Sequence, residues 1–132
     1  MLKYMLDTNI VIYITKNKPQ IVKDMFNSHY GQICISTIVV MELVYGVEKS
    51  SKPEKNLAVI EGFFARVSVL PYDNLAAFNT GQVRAELSKK GTPIGTYDQM
   101  IAGHARANGF ILVTNNTDEF KRVSGLRLEN WV

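Results

Sequence analysis

Cysteine is almost missing from this chain: Cys34, between Ile33 and Ile35, is the only one in 132 residues. A lone thiol makes no internal disulfide and no Cys-based zinc site, and one flanked by isoleucines is expected to be buried and inert. Histidine is nearly as scarce, with only His29 and His104. Long apolar runs are lacking too. No stretch approaches the roughly 20 residues that cross a bilayer, and Ile38–Val44 is broken by Glu42. Lys3 is followed by three residues before Asp7, too few for the apolar stretch of a secretory signal. The expected location is the cytoplasm, with no membrane partner. The four prolines are scattered between Pro19 and Pro93, with no repeat or Gly/Ser linker, so residues 1–132 are expected to form a single domain.

Two further classes are excluded by what is not there. Gly91 and Gly95 lack the Gly-Lys-Ser/Thr ending of a phosphate-cradling loop, and no Gly-flanked nucleophile elbow supports a serine hydrolase. What is present is a modest positive balance. Fifteen Lys and Arg against twelve Asp and Glu give a net charge of +3, a mild lean toward polyanionic partners.

Short β-like runs at Tyr4–Leu6, Ile33–Ile35, Val67–Leu70 and Ile111–Val113 alternate with segments of helical period. The helices are expected at Ile10–Thr15, Gln20–Asn27, Ile38–Lys49, Lys55–Arg66, Leu75–Lys89 and Tyr97–Ala107. That alternation predicts an α/β fold with a mainly parallel sheet of four to five strands and helices on both faces. Ligands of such sheets bind beyond the carboxyl ends of the strands.

Acids gather at those ends. Asp7 directly follows the first strand; Glu42 breaks an apolar helix after the second; Asp98 stands in the first turn of the helix containing Ala102-Gly103-His104-Ala105. Thr114, Asn115, Asn116, Asp118 and Glu119 follow the strand Ile111–Val113. Each acid has an ordinary structural role open to it: Asp7 as a helix cap, Asp98 as a partner of the helix dipole, Glu42 on a solvated face. Repetition at one edge is what those roles leave unexplained. Clustered carboxylates raise one another's pKa unless a cation neutralises them, and an all-oxygen donor set suits Mg²⁺ or Mn²⁺ better than zinc.

Four blocks, taken in order, resemble the VapC-type toxins of the PIN-domain ribonuclease family. They are Met5–Ile10, Ile35-Ser36 through Met41–Leu43, Asp98–Ala105, and Leu112–Asn116 through Glu119-Phe120. The resemblance runs from Lys3 to about Trp131. It implies an Mg²⁺-dependent endoribonuclease, with Mn²⁺ as a substitute, in which Asp7, Glu42 and Asp98 hold the metal directly or through water. At the fourth position Asn116 stands where many relatives carry Asp, and Glu119 is the acid expected to complete the set, with Asp118 as a second candidate. Asn9 and Thr114 would orient carboxylates or water.

The resemblance further implies a homodimer and a VapB-type antitoxin that blocks the site and carries the complex to operator DNA. Its substrate would be a structured RNA, with the anticodon region of initiator tRNA preferred, cut to inhibit translation and leave a 5′-phosphate and a 3′-hydroxyl. Arg84, Lys89 and Lys90, which precede the loop leading to Asp98, are candidate phosphate contacts or a solvated helix end. An apolar stripe at Leu57, Ile60, Phe63 and Phe64, with Val44 and Tyr45, is core or a docking groove.

Overall fold

The computed structural model describes all residues, 1–132. Five strands, β1 (Tyr4–Leu6), β2 (Ile33–Ser36), β3 (Ser68–Leu70), β4 (Ile111–Val113) and β5 (Arg127–Glu129), form one parallel sheet in the order β3-β2-β1-β4-β5. Seven helices flank it: α1 (Thr8–Lys16), α2 (Gln20–Ser28), α3 (Thr37–Glu48), α4 (Pro53–Phe64), α5 (Asn74–Lys89), α6 (Thr96–Ala107) and α7 (Thr117–Phe120). Every residue of β1, β2 and β4 is buried. Successive side chains of a strand face opposite ways, so helices must cover both faces of the sheet.

The α/β expectation holds, and the four expected strands and six expected helices all form. The starts of α1, α3 and α5 move toward the N-terminus by a residue or two because polar caps extend them. Asp7 caps α1 through Thr8 N, Ser36 caps α3 through Ile38 N, and Asp73 caps α5 through Ala76 N. Two elements were not anticipated. The residues of α7 make a single turn, too short to show a helical period, and Arg127-Leu128-Glu129 has one apolar residue between two charges. β5 exists because β4 offers it a ladder, pairing Leu112 with Leu128.

Strand order locates the ligand edge. From β1 the chain winds outward to β2 and β3, then returns past β1 to lay down β4 and β5 on the other side. The reversal falls between β1 and β4, and the crevice beyond their carboxyl ends is where such sheets bind ligands. Asp7 follows β1 and Thr114 follows β4, and Asp7 N–H donates to Val113 O at 2.9 Å.

α6 is drawn tightly onto α5. A Cβ on Gly103 would fall 2.1 Å from Thr80 Oγ1 and 2.7 Å from Thr80 Cα, so only glycine permits this approach. The small-residue stretch of α6 therefore packs closely on a neighbour, and Thr80 occupies the vacated space. At the other end of the chain Trp131 is buried against His29 and Tyr4, with ring centroids 5.5 and 5.4 Å away. That contact anchors the tail.

Candidate active site

Asp7 is 5% exposed. Its Oδ1 accepts Thr8 N–H at 2.8 Å, and its Oδ2 accepts the Thr114 hydroxyl at 2.9 Å. Burial raises the carboxyl above its ordinary value, and those two donors oppose the rise. Helix capping and site formation are thus the same geometry, since the strand end that caps α1 also points a carboxylate at the crevice.

Glu42 reaches the crevice from α3. Its Oε1 accepts the Thr8 hydroxyl at 2.8 Å. Burial raises its carboxyl, Thr8 opposes the rise, and the charge of Asp7 adds to it. Thr8 therefore touches both acids, through its amide and through its hydroxyl.

Glu119, on the single turn α7, accepts Asn116 Nδ2 at 3.0 Å on Oε2. Asn116 N–H in turn donates to Thr114 Oγ1 at 3.0 Å. One unbroken run of hydrogen bonds thus links Glu42, Thr8, Asp7, Thr114, Asn116 and Glu119. Asp98 joins by field. Its carboxyl is pushed up to about 6, first by burial and then by the charges of Asp7, Glu42 and Glu119. Gly95 leaves room for it, because a Cβ there would stand 3.3 Å from Asp98 Oδ2.

The structure therefore brings together Asp7, Glu42, Asp98 and Glu119, with Thr114 and Asn116 between them. Two expected members fall outside. Asp118 is exposed and pairs with Lys121 at 3.4 Å, because it faces outward on the turn that points Glu119 inward. Asn9 is exposed on α1, and the donor beside the acids is Thr8, which the motif blocks do not single out. A hydroxyl residue directly after an acid at a strand-to-helix junction was the available signal. Arg84, Lys89 and Lys90 are exposed on the last turns of α5 and its end. Arg122 braces the loop that follows, donating to Pro93 O at 3.3 Å.

The donor set is all carboxylate oxygen, which selects a hard divalent cation. No three acidic, histidine or cysteine side chains converge closely enough to make a ready cage for one ion. Mg²⁺ does not ask for such a cage, since it usually keeps several waters and takes one or two carboxylates. The residues fit a divalent ion held partly through water.

Of the apolar stripe, Ile60 and Phe63 are buried, Leu57, Phe64 and Val44 partly so, and Tyr45 is exposed. An open cleft of about 430 Å³ remains between α1, α3 and α4. Its walls include Ile12, Leu43, Val47, Val59 and Ile60, with Glu42, Lys16 and Asn56 among the polar residues that line it.

Residues 4–126 match the PIN domain family, whose nucleases generally depend on a divalent metal. The tRNA(fMet)-specific endonuclease VapC of Shigella flexneri is 62% identical over 99% of both chains. A chain in the crystal structure of DNA-bound VapBC from Salmonella typhimurium superposes with a TM-score of 0.96, at 57% identity and full coverage of both chains. VapBC2 from Rickettsia felis, solved bound to a DNA fragment from its promoter, gives a TM-score of 0.94 at 41% identity, covering 99% of this chain and 100% of that one. Sheet order, acidic crevice and end-to-end similarity agree: the chain belongs to the PIN-domain family, among the VapC ribonucleases of toxin–antitoxin systems.

Proposed function

We propose that this chain is the toxin of a VapBC-type pair and cuts the anticodon region of initiator tRNA, using a divalent cation, best Mg²⁺ with Mn²⁺ as a substitute. The observation that carries the reading is Asp98, whose carboxyl feels Asp7, Glu42 and Glu119 together. Four carboxylates from four separate segments feel one another's charge, and a bound cation would relieve that repulsion. When bound, the ion would acidify water and neutralise charge on a phosphoryl oxygen.

The chain's own residues supply the rest. Asp7 and Asp98 are assigned to hold the ion and Glu42 and Glu119 to complete the cup. Thr114 and Thr8 fix the rotamers of Asp7 and Glu42, and Asn116 fixes Glu119. Attack in line on phosphorus leaves a 5′-phosphate and a 3′-hydroxyl. Arg84, Lys89 and Lys90 are assigned to the RNA backbone. Initiator tRNA is assigned from the Shigella relative, a tRNA(fMet)-specific endonuclease, and the anticodon region from the family resemblance.

The cleft beside Glu42 is assigned to a VapB-type antitoxin. An apolar groove ending at a carboxylate fits a segment with apolar side chains and a terminal cation, which would cover the cup and block RNA. Relatives solved as VapBC complexes with DNA support operator binding through the antitoxin. Residues 1–132 act as a single PIN unit, as a homodimer in the cytoplasm; no helix is long and apolar enough to cross a membrane.

Total tRNA is incubated with the purified chain and Mg²⁺, beside an EDTA control and the Asp7→Ala and Asp98→Ala variants. Cleavage at the initiator anticodon that disappears in all three controls is the expected result. Wild-type protein that binds Mn²⁺ but leaves tRNA intact would reject the substrate. Wild-type protein that binds no divalent ion would reject the chemistry.

A further inference from the structure

The start of α3 and α6 are joined by a bond that includes none of the acids. His104 is 1% exposed and Ser36 is fully buried, and His104 Nδ1 lies 2.8 Å from Ser36 Oγ. The Ser36 oxygen already accepts Ile38 N–H at 3.1 Å as the cap of α3. The Ser36 hydroxyl still has a proton to donate, and the imidazole nitrogen stands within reach of it. With Nδ1 as that acceptor, His104 is neutral and carries its proton on Nε2.

The ring is held from the side as well. Tyr72 meets it edge-on, with centroids 5.7 Å apart at 87°. Tyr72 is itself fixed, its N–H donating to Thr37 Oγ1 at 3.0 Å and its hydroxyl to Thr80 Oγ1 at 2.7 Å. Burial favours the neutral imidazole, and the only opposing influence is the charge of Asp73.

Each end of this bond sits the same distance from an acid. Glu42 is six residues along α3 from Ser36, and Asp98 is six residues back along α6 from His104. At 1.5 Å per residue, each acid stands roughly 9 Å of helix away from the pin. We propose that His104 is a positioning residue of the acidic cup: its Nδ1 accepts a hydrogen bond from the Ser36 hydroxyl, pins α6 to the start of α3, and so sets the separation of Asp98 from Glu42. The inference rests on the assignment of those acids to a bound cation.

Its test uses the full chain and two substitutions at one position. His104→Leu fills the space without an acceptor, whereas His104→Asn keeps an oxygen near the place of Nδ1. Mn²⁺ affinity should fall about tenfold or more in the Leu variant, as for other residues that orient metal ligands. Its kcat should fall with little change in KM for RNA, and the Asn variant should recover most of both losses. Ser36→Ala breaks the same bond from the other side, together with the cap of α3, and should lower Mn²⁺ affinity in the same way where the Leu variant fails to fold. A folded Leu variant with wild-type Mn²⁺ affinity, or an Asn variant no better than Leu, overturns the proposal. So does a ¹⁵N spectrum showing a protonated Nδ1 in the wild type. That spectrum needs no metal, so it still decides the bond if wild-type protein binds no Mn²⁺ and the cation assignment itself fails.

Discussion

Thr114 donates its hydroxyl to Asp7 across 2.9 Å, joining residues 107 apart in the chain at the carboxyl ends of two adjacent strands. The same oxygen receives Asn116 N–H, so one buried threonine ties Asp7 to the segment that carries Glu119. Thr114→Val keeps the shape and deletes both bonds. It should cost about 1–3 kcal/mol of stability, lift the Asp7 carboxyl further and slow cleavage. Urea unfolding and tRNA cleavage by the same variant check this; a variant as stable and active as wild type would remove Thr114 from the site.

The acids make the cation-free protein sensitive to pH. Asp98 has a folded carboxyl raised to about 6 from an ordinary 3.8. Between those values the folded protein keeps a proton that the unfolded chain has lost, so stability falls as pH rises through this window. Asp98→Asn removes the contribution. In EDTA the variant should gain melting temperature relative to wild type as pH rises from 4 to about 7, and should lose cleavage altogether. Mg²⁺ should narrow the gap by favouring the ionised acids. A difference between the two proteins that stays flat across the window would contradict the charge crowding.

Gly103→Ala probes the seam between α5 and α6. The added methyl would collide with Thr80 backbone at 2.7 Å, which no rotamer change relieves. Overpacking of this kind typically costs about 1–3 kcal/mol. Since α6 carries Asp98, cleavage should fall as well. Thermal melts and kcat of the single variant measure the two effects.

Cys34 should be chemically silent. It is fully buried, its thiol donates to Tyr4 O at 3.3 Å, and burial pushes its pKa up to about 12. A thiol reagent should label it only after unfolding, and Cys34→Ala should leave cleavage intact. Labelling of the native protein at pH 7 would contradict this.

Arg84, Lys89 and Lys90 should act on RNA through charge alone. Replacing each by Ala should weaken binding to different RNAs about equally and reduce the salt slope by roughly 0.7 to 0.9 per lost phosphate contact. Binding measured across a salt series, with EDTA present to prevent cutting, shows whether they touch phosphate or only cap a solvated helix end.

Much of this was legible before folding. The runs Tyr4–Leu6 and Ile111–Val113 read as strands because a strand buried on both faces is continuously apolar. Asp7 and Glu42 stood out because each interrupts or ends an apolar run. Thr8 did not, since its importance lies in a hydroxyl that reaches Glu42 34 residues away. Composition and spacing alone left Asp118 and Glu119 open, because two neighbouring acids on one turn differ only in the direction they face; only the family resemblance favoured Glu119. β5 was hidden for a related reason: its pairing is set by β4 and not by its own three residues.

By itself the sequence determined the alternation of strands and helices, the all-oxygen character of the candidate site and the family, because period, composition and motif order are properties of the chain. Tertiary structure alone decided which acids share a field, which hydroxyls orient them, and that His104 on α6 meets Ser36 at the start of α3. Those contacts join residues up to 107 positions apart, and parallel strands with right-handed crossovers bring them together only when the sheet closes around β1 and β4.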